Sequence, residues 1–467
     1  MGETLRSMDR STKVKWLLTY LVPIIIWLVP TNAIFTAKIR MFLVITVFAM
    51  MLMAFEFFNA YVIGVLLPAL YVVSGCADIT TVMSPWLGTT VYMVLGAFVL
   101  SAILQECGLL QRVAYWMMSK IGSNYMMMLF SIFLTGWVLT MLTFGSSAHI
   151  ILPPLCLGLC SALGIMGTRA SAAVCMACML GACTSRSFSY PAVTYSIIGG
   201  LGKTVLGENF EVSFIDAFLY NWPMLLFAIL FLFIVGKWYK NETPLSSRDY
   251  FVEKLAEMGP ITRNEKINGS ILVIIILFLL TNPLHGFEVA YGFMLIPYLV
   301  WVLPNLQSAS RDGAVKIPWE MAFVMTGCMA IGTTAAGLGF GTIISNYCLP
   351  VFQNSGGNVF IVFGALFLLV FVFNFLMTPM AIWALITIPM CEIALQLGMD
   401  PLAMIFGLVH TSEMIILPYE YLPYLIVYAF GMMKMTDFVK LNVLRCVLYI
   451  PGFLLILVPY WMLIGLV

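Results

Sequence analysis

Five ionisable residues, His149, Arg186, His410, Glu413 and Glu420, fall where long apolar runs are interrupted. Charges at membrane depth are costly and generally mark function. Arg186 offers a planar fork that can clamp a carboxylate through two parallel bonds; its structural alternative is a charge that snorkels to the interface or pairs with Glu420. Glu420 would face Arg186 if the two halves of the chain are related by pseudo-symmetry. There it could carry a proton or form a permanent salt bridge. His410 and Glu413, three residues apart, share one helical face, a spacing for a proton relay or for a satisfied buried pair. His149 could donate to an anion or simply pack with one partner. Hydroxyls stand nearby in sequence at Thr143, Ser146, Ser147 and Ser187.

These residues need a lipid-embedded scaffold. Of 467 residues 62% are hydrophobic and 9% charged, far more apolar content than one soluble core requires. Net charge is +1, so no polybasic surface points to nucleic acid. Apolar runs cover about 16–30, 39–55, 58–74, 87–105, 172–200, 214–237, 269–283, 289–304, 319–346, 401–432 and 442–466, which makes eleven candidate spans. The first lacks a convincing small-residue cleavage site and is expected to be retained.

Two further stretches, 125–165 and 357–399, break near the middle, at Thr143-Phe-Gly-Ser-Ser-Ala148 and Met377-Thr-Pro-Met380. Backbone at membrane depth can leave its hydrogen-bond ladder only where protein or water replaces it, so both are predicted to be re-entrant helical hairpins. Spans 172–200 and 401–432 are predicted to unwind over 181–191 and 416–424, where Pro191, Pro418 and Pro423 remove amide donors.

The interruptions repeat in order. Gly96 precedes Gly108 by twelve residues, followed by a hairpin break, Pro153 and Pro191; Gly327 precedes Gly339 by twelve, followed by a break, Pro389 and Pro423. The expectation is an all-α polytopic protein of two inverted repeats, 1–237 and 269–467, joined by a cytoplasmic linker over 238–268. Basic residues place the N-terminal tail and the Arg311/Lys316 and Lys434/Lys440 loops in the cytoplasm and the C-terminus outside; Lys38 and Arg40 are the exception. In such folds, half-helix N-termini face anions at the midplane while freed carbonyls coordinate cations. The expectation is a secondary transporter of a cell membrane, although a channel also tolerates broken helices.

Glu106-Cys-Gly-Leu-Leu-Gln-Arg112, Ser146-Ser-Ala-His-Ile-Ile-Leu-Pro153, Ser213-Phe-Ile-Asp216, Trp319 with Gly327, Leu417-Pro-Tyr-Glu-Tyr-Leu-Pro423 and Lys434-Met-Thr-Asp-Phe-Val-Lys440 follow one another in an order that resembles the divalent anion/sodium symporters, which include bacterial di- and tricarboxylate carriers of the ion transporter superfamily. The resemblance covers nearly the whole chain. It implies a scaffold plus a moving transport domain, elevator-type alternating access and a homodimer. By position it implies substrate contacts at Thr143, Ser146, Ser147, Thr378, Pro379 and Pro423 and coupling-ion contacts at Gly145 and Ser187, while the ionisable residues of the breaks, Arg186 for the substrate and Glu420, Glu413 and His410 for coupling, are read from the sequence itself as replacements for motifs the family has and this chain lacks. Sodium would bind near Gly145, Ser146 and Thr378. Glu56 matches a family glutamate near the dimer scaffold. The chain departs from the family in lacking the tip asparagine of the Ser-Asn-Thr triplet at both hairpins, and Ser189-Tyr-Pro-Ala192 and Tyr421-Leu-Pro-Tyr424 replace Thr-Pro-Pro-Asn.

The function expected is secondary transport of a small organic anion coupled to protons or sodium, or driven by anion exchange. A cation/proton antiporter that uses Glu413 and Glu420 is the alternative within the superfamily, and a transport-inactive sensor is the alternative outside it. No Walker, haem or zinc signature appears, nor a hydrolase motif, so neither an enzyme nor a cofactor is expected. The Cys175-Met-Ala-Cys178 spacing lacks His and carboxylate partners and is read as small packing residues among eleven cysteines.

Overall fold

The computed structural model describes residues 10–32, 34–55, 57–58, 60–121, 124–207, 210–240, 248–310, 319–340, 358–374 and 378–467. Glu56, Met377 and the Arg311/Lys316 loop lie outside the described residues. No strand occurs among the described residues.

The first half builds α1 (Arg10–Leu28), α2 (Ala37–Ala54), α3 (Ala60–Val73), α4 (Thr89–Glu106), α5 (Leu109–Ile121), α6 (Tyr125–Leu142), α7 (Ala148–Ala162), α8 (Arg169–Ala182), α9 (Ala192–Leu206), α10 (Phe214–Asn221) and α11 (Pro223–Trp238). After α12 (Arg248–Glu257) come α13 (Arg263–Leu280), α14 (Val289–Leu295), α15 (Trp319–Gly337), α16 (Val359–Asn374), α17 (Pro379–Leu397), α18 (Pro401–Thr411), α19 (Leu422–Ala429), α20 (Met435–Gly452) and α21 (Val458–Leu463). A π-helical stretch, Phe453–Leu457, joins the last two. By length and composition alone, four described helical runs can cross a membrane: 89–106, 125–142, 379–397 and 435–463. A fifth appears if α10 and α11, bent by 52°, count as one span. Eleven spans were expected: breaks and bends divide some of the apolar runs into shorter helices such as Ala148–Ala162 and Pro401–Thr411, while α1, α2, α13 and α15 have 18 or 19 residues and carry charged residues near their N-terminal ends.

Polar residues start the helices where the sequence changes character. Asn124 caps α6 and Thr168 caps α8. Thr262 and Glu265 form a reciprocal capping box on α13, which therefore begins inside the 238–268 segment expected to be only a linker. The stretch 125–165 forms two helices, α6 and α7, separated by a non-helical break at 143–147. The first unwound stretch carries a short 3-10 turn at Thr184–Phe188. The second opens earlier than expected: α18 ends at Thr411, and irregular chain runs to a 3-10 turn at Pro418–Glu420.

The paired glycines take paired roles. Gly96 lets α4 cross α14 so closely that an added Cβ would collide with the Phe293 carbonyl, and Gly327 does the same for α15 against the Gly64 backbone of α3. Gly108 and Gly339 adopt φ of 82° and 69° just beyond the same two helices, a left-handed turn that glycine takes without steric cost. Helix α6 crosses α8 at another small-residue contact, where a Cβ on Gly136 would come within 2.7 Å of the Gly181 backbone.

Candidate functional site

The site gathers where the two unwound stretches meet the hairpin arms. Arg186, on the first 3-10 turn, directs Nε to Glu413 Oε1 at 2.5 Å, and the two side chains are only 6% and 0% exposed. Its guanidinium lies over the Tyr421 ring, 3.8 Å from the centroid, and 5.3 Å from that of Trp383 on α17. One cation therefore touches the first break, the second break and α17. Further bonds tie the same elements together: Thr184 to the Tyr424 hydroxyl at 2.6 Å, Trp137 Nε1 to Ser189 Oγ at 3.2 Å and Trp383 Nε1 to Ser412 Oγ at 3.0 Å.

Two expected pairings are corrected. Arg186 bonds Glu413, not Glu420. Glu420 turns back on its own loop, its two carboxylate oxygens accepting the amides of Ile416 at 3.0 Å and Leu417 at 3.1 Å. These donors would otherwise be buried without partners, so the local backbone outcompetes the distant guanidinium. His410 likewise does not bond the Glu413 side chain, because α18 stops at Thr411 and the helical face they would have shared ends first. Its Nε2 lies 2.8 Å from Asn221 Oδ1 and its Nδ1 2.6 Å from the Tyr449 hydroxyl. Asn221 Nδ2 already donates to Ala217 O, which leaves Oδ1 as the acceptor. Nε2 therefore donates to Asn221 Oδ1 and Nδ1 meets the Tyr449 hydroxyl, so both ring nitrogens are engaged by uncharged partners. Ser187 Oγ donates to Thr184 O and sits 3.4 Å from Tyr449, outside this chain of short bonds.

At the first tip, Phe144 and Gly145 adopt φ of 50° and 80°, and the loop docks on the far half of the first break through Ala192 N to Phe144 O at 2.9 Å. A Cβ at Gly145 would come within 2.9 Å of Pro191 Cβ. The hydroxyl protons here are largely engaged: Thr143 donates to Leu139 O, Ser146 donates to Thr143 O, and Ser147 hydrogen-bonds Ser101 of α4. His149, half-buried on α7, stands within electrostatic reach of Arg186. In the second half, Thr378 is half-buried before α17 and makes no capping bond; Pro379 opens α17, and Pro423 is the second residue of α19.

One residue escaped the sequence reading. Arg445 of α20 is wholly buried and donates from Nη2 to Glu413 O at 2.8 Å and Ile415 O at 3.1 Å, while Nε reaches Asn442 Oδ1 at 3.2 Å. The signal was Asn442, Arg445 and Tyr449, a polar stripe at spacings of three and four in an apolar run. Arg186 Nη2, Arg445 Nη1 and Glu413 Oε2 are buried without partners among the described residues. Two buried guanidiniums meet residue 413, Arg186 at its carboxylate and Arg445 at its backbone carbonyl, and each keeps a spare donor of the kind that suits an anion.

The family model described as the sodium:sulfate symporter transmembrane region matches residues 10–467. No curated protein matches the chain.

Proposed function

The chain belongs to the sodium:sulfate symporter family of divalent anion/sodium symporters, and from that premise we propose that it is a secondary carrier of small organic anions of the di- and tricarboxylate class. The observation that carries this reading is the buried Arg186, held by a single bond to Glu413 with its Nη2 free. A guanidinium fork fits a carboxylate in two parallel bonds, and burial among aromatic rings strengthens such a bond. His149 and the oxygens of Ser146 and Ser147 supply further contacts at the first tip, with Thr143 shaping it; Thr378, Pro379 and Pro423 line the opposite side. Coupling runs through protons on Glu413 or Glu420, through sodium near Gly145, Ser146 and Thr378, or through exchange of one anion for another. His410 and Ser187 support that machinery as its neighbours. The hairpins and broken spans move as one body against the scaffold in an elevator cycle, within a homodimer.

The family description names sulfate, so competition separates the substrate classes. Uptake of labelled succinate into proteoliposomes should be inhibited by excess citrate and malate, and little by lactate. Sulfate competing as well as succinate itself would move the assignment to inorganic oxyanions. A cation/proton antiporter would need Glu413 free to bind the cation, whereas its Oε1 is held by Arg186; this favours the anion reading.

A further inference from the structure

We infer that Arg445 is a built-in cation: its guanidinium occupies the position at the second break where a carrier of this architecture would otherwise hold an alkali metal ion, so this break binds no sodium. The inference rests on the carrier reading for its meaning and on the hydrogen bonds of residues 410–415 for its evidence.

A helix that stops inside a bilayer leaves its last carbonyls without amide partners, and its C-terminal end carries partial negative charge. In broken-helix carriers, such ends and the unwound carbonyls beyond them coordinate cations. Helix α18 stops this way at Thr411, so each following carbonyl must find a donor. His410 O accepts from Glu413 N at 3.2 Å and Thr411 O from Met414 N at 3.3 Å. Beyond Ser412, the carbonyls of residues 413–415 each accept from a side chain, and Glu413 O also accepts Ile415 N at 2.8 Å. Arg445 Nη2 bonds Glu413 O and Ile415 O together, Asn374 Nδ2 from α16 reaches Met414 O at 3.3 Å, and Cys446 Sγ adds to Ile415 O at 3.7 Å. A single nitrogen bridging two loop carbonyls is how a bound cation would be held, here on a covalent arm. Asn442 fixes the arm through Nε, and the Tyr424 ring lies 5.5 Å from the guanidinium carbon.

The first break is built differently. Gly181 O there accepts the hydroxyls of Thr140 and Ser185, and Arg186 directs Nε to a carboxylate rather than to carbonyls. Arg186, the buried cation of the first break, is turned to the Glu413 carboxylate and not to that break's carbonyls, so any sodium this chain binds sits on the Gly145 and Ser146 side rather than beside Thr378.

The test is thermal unfolding of the purified full-length chain in sodium chloride against choline chloride at equal ionic strength, for the parent, Arg445→Ala and Arg445→Lys. A ligand that binds only the folded state raises its stability in a saturable way. Arg445→Ala should acquire a saturable, sodium-specific upward shift in Tm beyond that of the parent, and Arg445→Lys should respond like the parent. Equal sodium responses in all three would overturn the inference. Should Arg445→Ala fail to fold, Arg445→Met, of similar reach without charge, carries the same comparison. Counting radioactive sodium bound to the parent needs no variant: one ion per chain or fewer supports the inference, and two overturn it. Neither readout requires flux. A parent that moves no anion while Arg445→Ala gains its sodium shift would keep this site and remove the carrier reading.

Discussion

The Arg186–Glu413 pair joins the first break to the second, and both partners lie out of water. Removing one member of such a pair leaves the other charge uncompensated, a loss on the order of 3 kcal/mol. Arg186→Met should therefore lower Tm markedly and abolish uptake. Arg186→Met with Glu413→Gln should recover most of the stability but none of the uptake, which a two-by-two set of melts and flux assays would reveal; recovered flux would make the arginine a structural counter-charge only. His410 has the opposite profile. Its ring is held by two uncharged partners, Asn221 and Tyr449, which predicts that His410→Ala costs about 1–3 kcal/mol and leaves the shape of the pH dependence of uptake unchanged. A lost pH dependence would put the imidazole in the proton path. Sequence alone located Arg186 and Glu413 but not their partnership. Spacing along a helix predicts contacts only while the helix continues, and α18 ends between His410 and Glu413. Arg445 was missed because it follows the Lys434/Lys440 cluster closely, where a basic residue looks like part of a membrane boundary.

Close helix crossings at glycine carry the element scale. Gly96→Ala places a Cβ against the Phe293 carbonyl, so α4 and α14 must separate, and a Tm loss of several degrees is expected. Gly364→Ala on α16 meets nothing within 4 Å and should be neutral, or stabilising by about 0.5–1 kcal/mol from helix propensity. Equal effects of the two would mean that α4 and α14 do not meet as closely as described. Outside the membrane, Arg112 of α5 clamps the start of α13 through Nε to Glu265 Oε1 at 2.6 Å and Nη1 to Gly259 O at 2.8 Å. Burial alone would raise the Glu265 carboxyl, but the bonds from Arg112 and Thr262 outweigh it and hold the group below its ordinary value. A depressed folded-state pKa contributes stability above the unfolded value, about 4.3, which is lost as pH falls through the folded value. Glu265→Gln should thus melt below the parent at neutral pH, and the gap should close in acid; a gap that persists there would show that the carboxylate charge is not the cause. The helix breaks were legible because proline, glycine and serine interrupt apolar runs, each for a local steric or donor reason. Their extent was not: the second break opens at Ser412, ahead of its first proline, because side chains from α16 and α20 take over the carbonyls of residues 413–415.

For the whole molecule, apolar composition and hydropathy read from the sequence agree with an all-helical membrane protein of the sodium:sulfate symporter family. The ligand could not be read in the same way, because the tip asparagines are absent and sites change on a retained scaffold. Near the first tip the structure holds a buried Arg186 paired with Glu413 and with Nη2 unpartnered among the described residues, and the anion reading rests on it. The most direct measurement is uptake of labelled succinate and citrate into proteoliposomes under imposed sodium gradients, proton gradients or internal counter-anion, comparing the parent with Arg186→Ala. The parent should accumulate label under at least one condition, which identifies the coupling, and Arg186→Ala should not. A parent that moves neither anion under any condition, while sodium accelerates proton efflux, would contradict the carrier assignment.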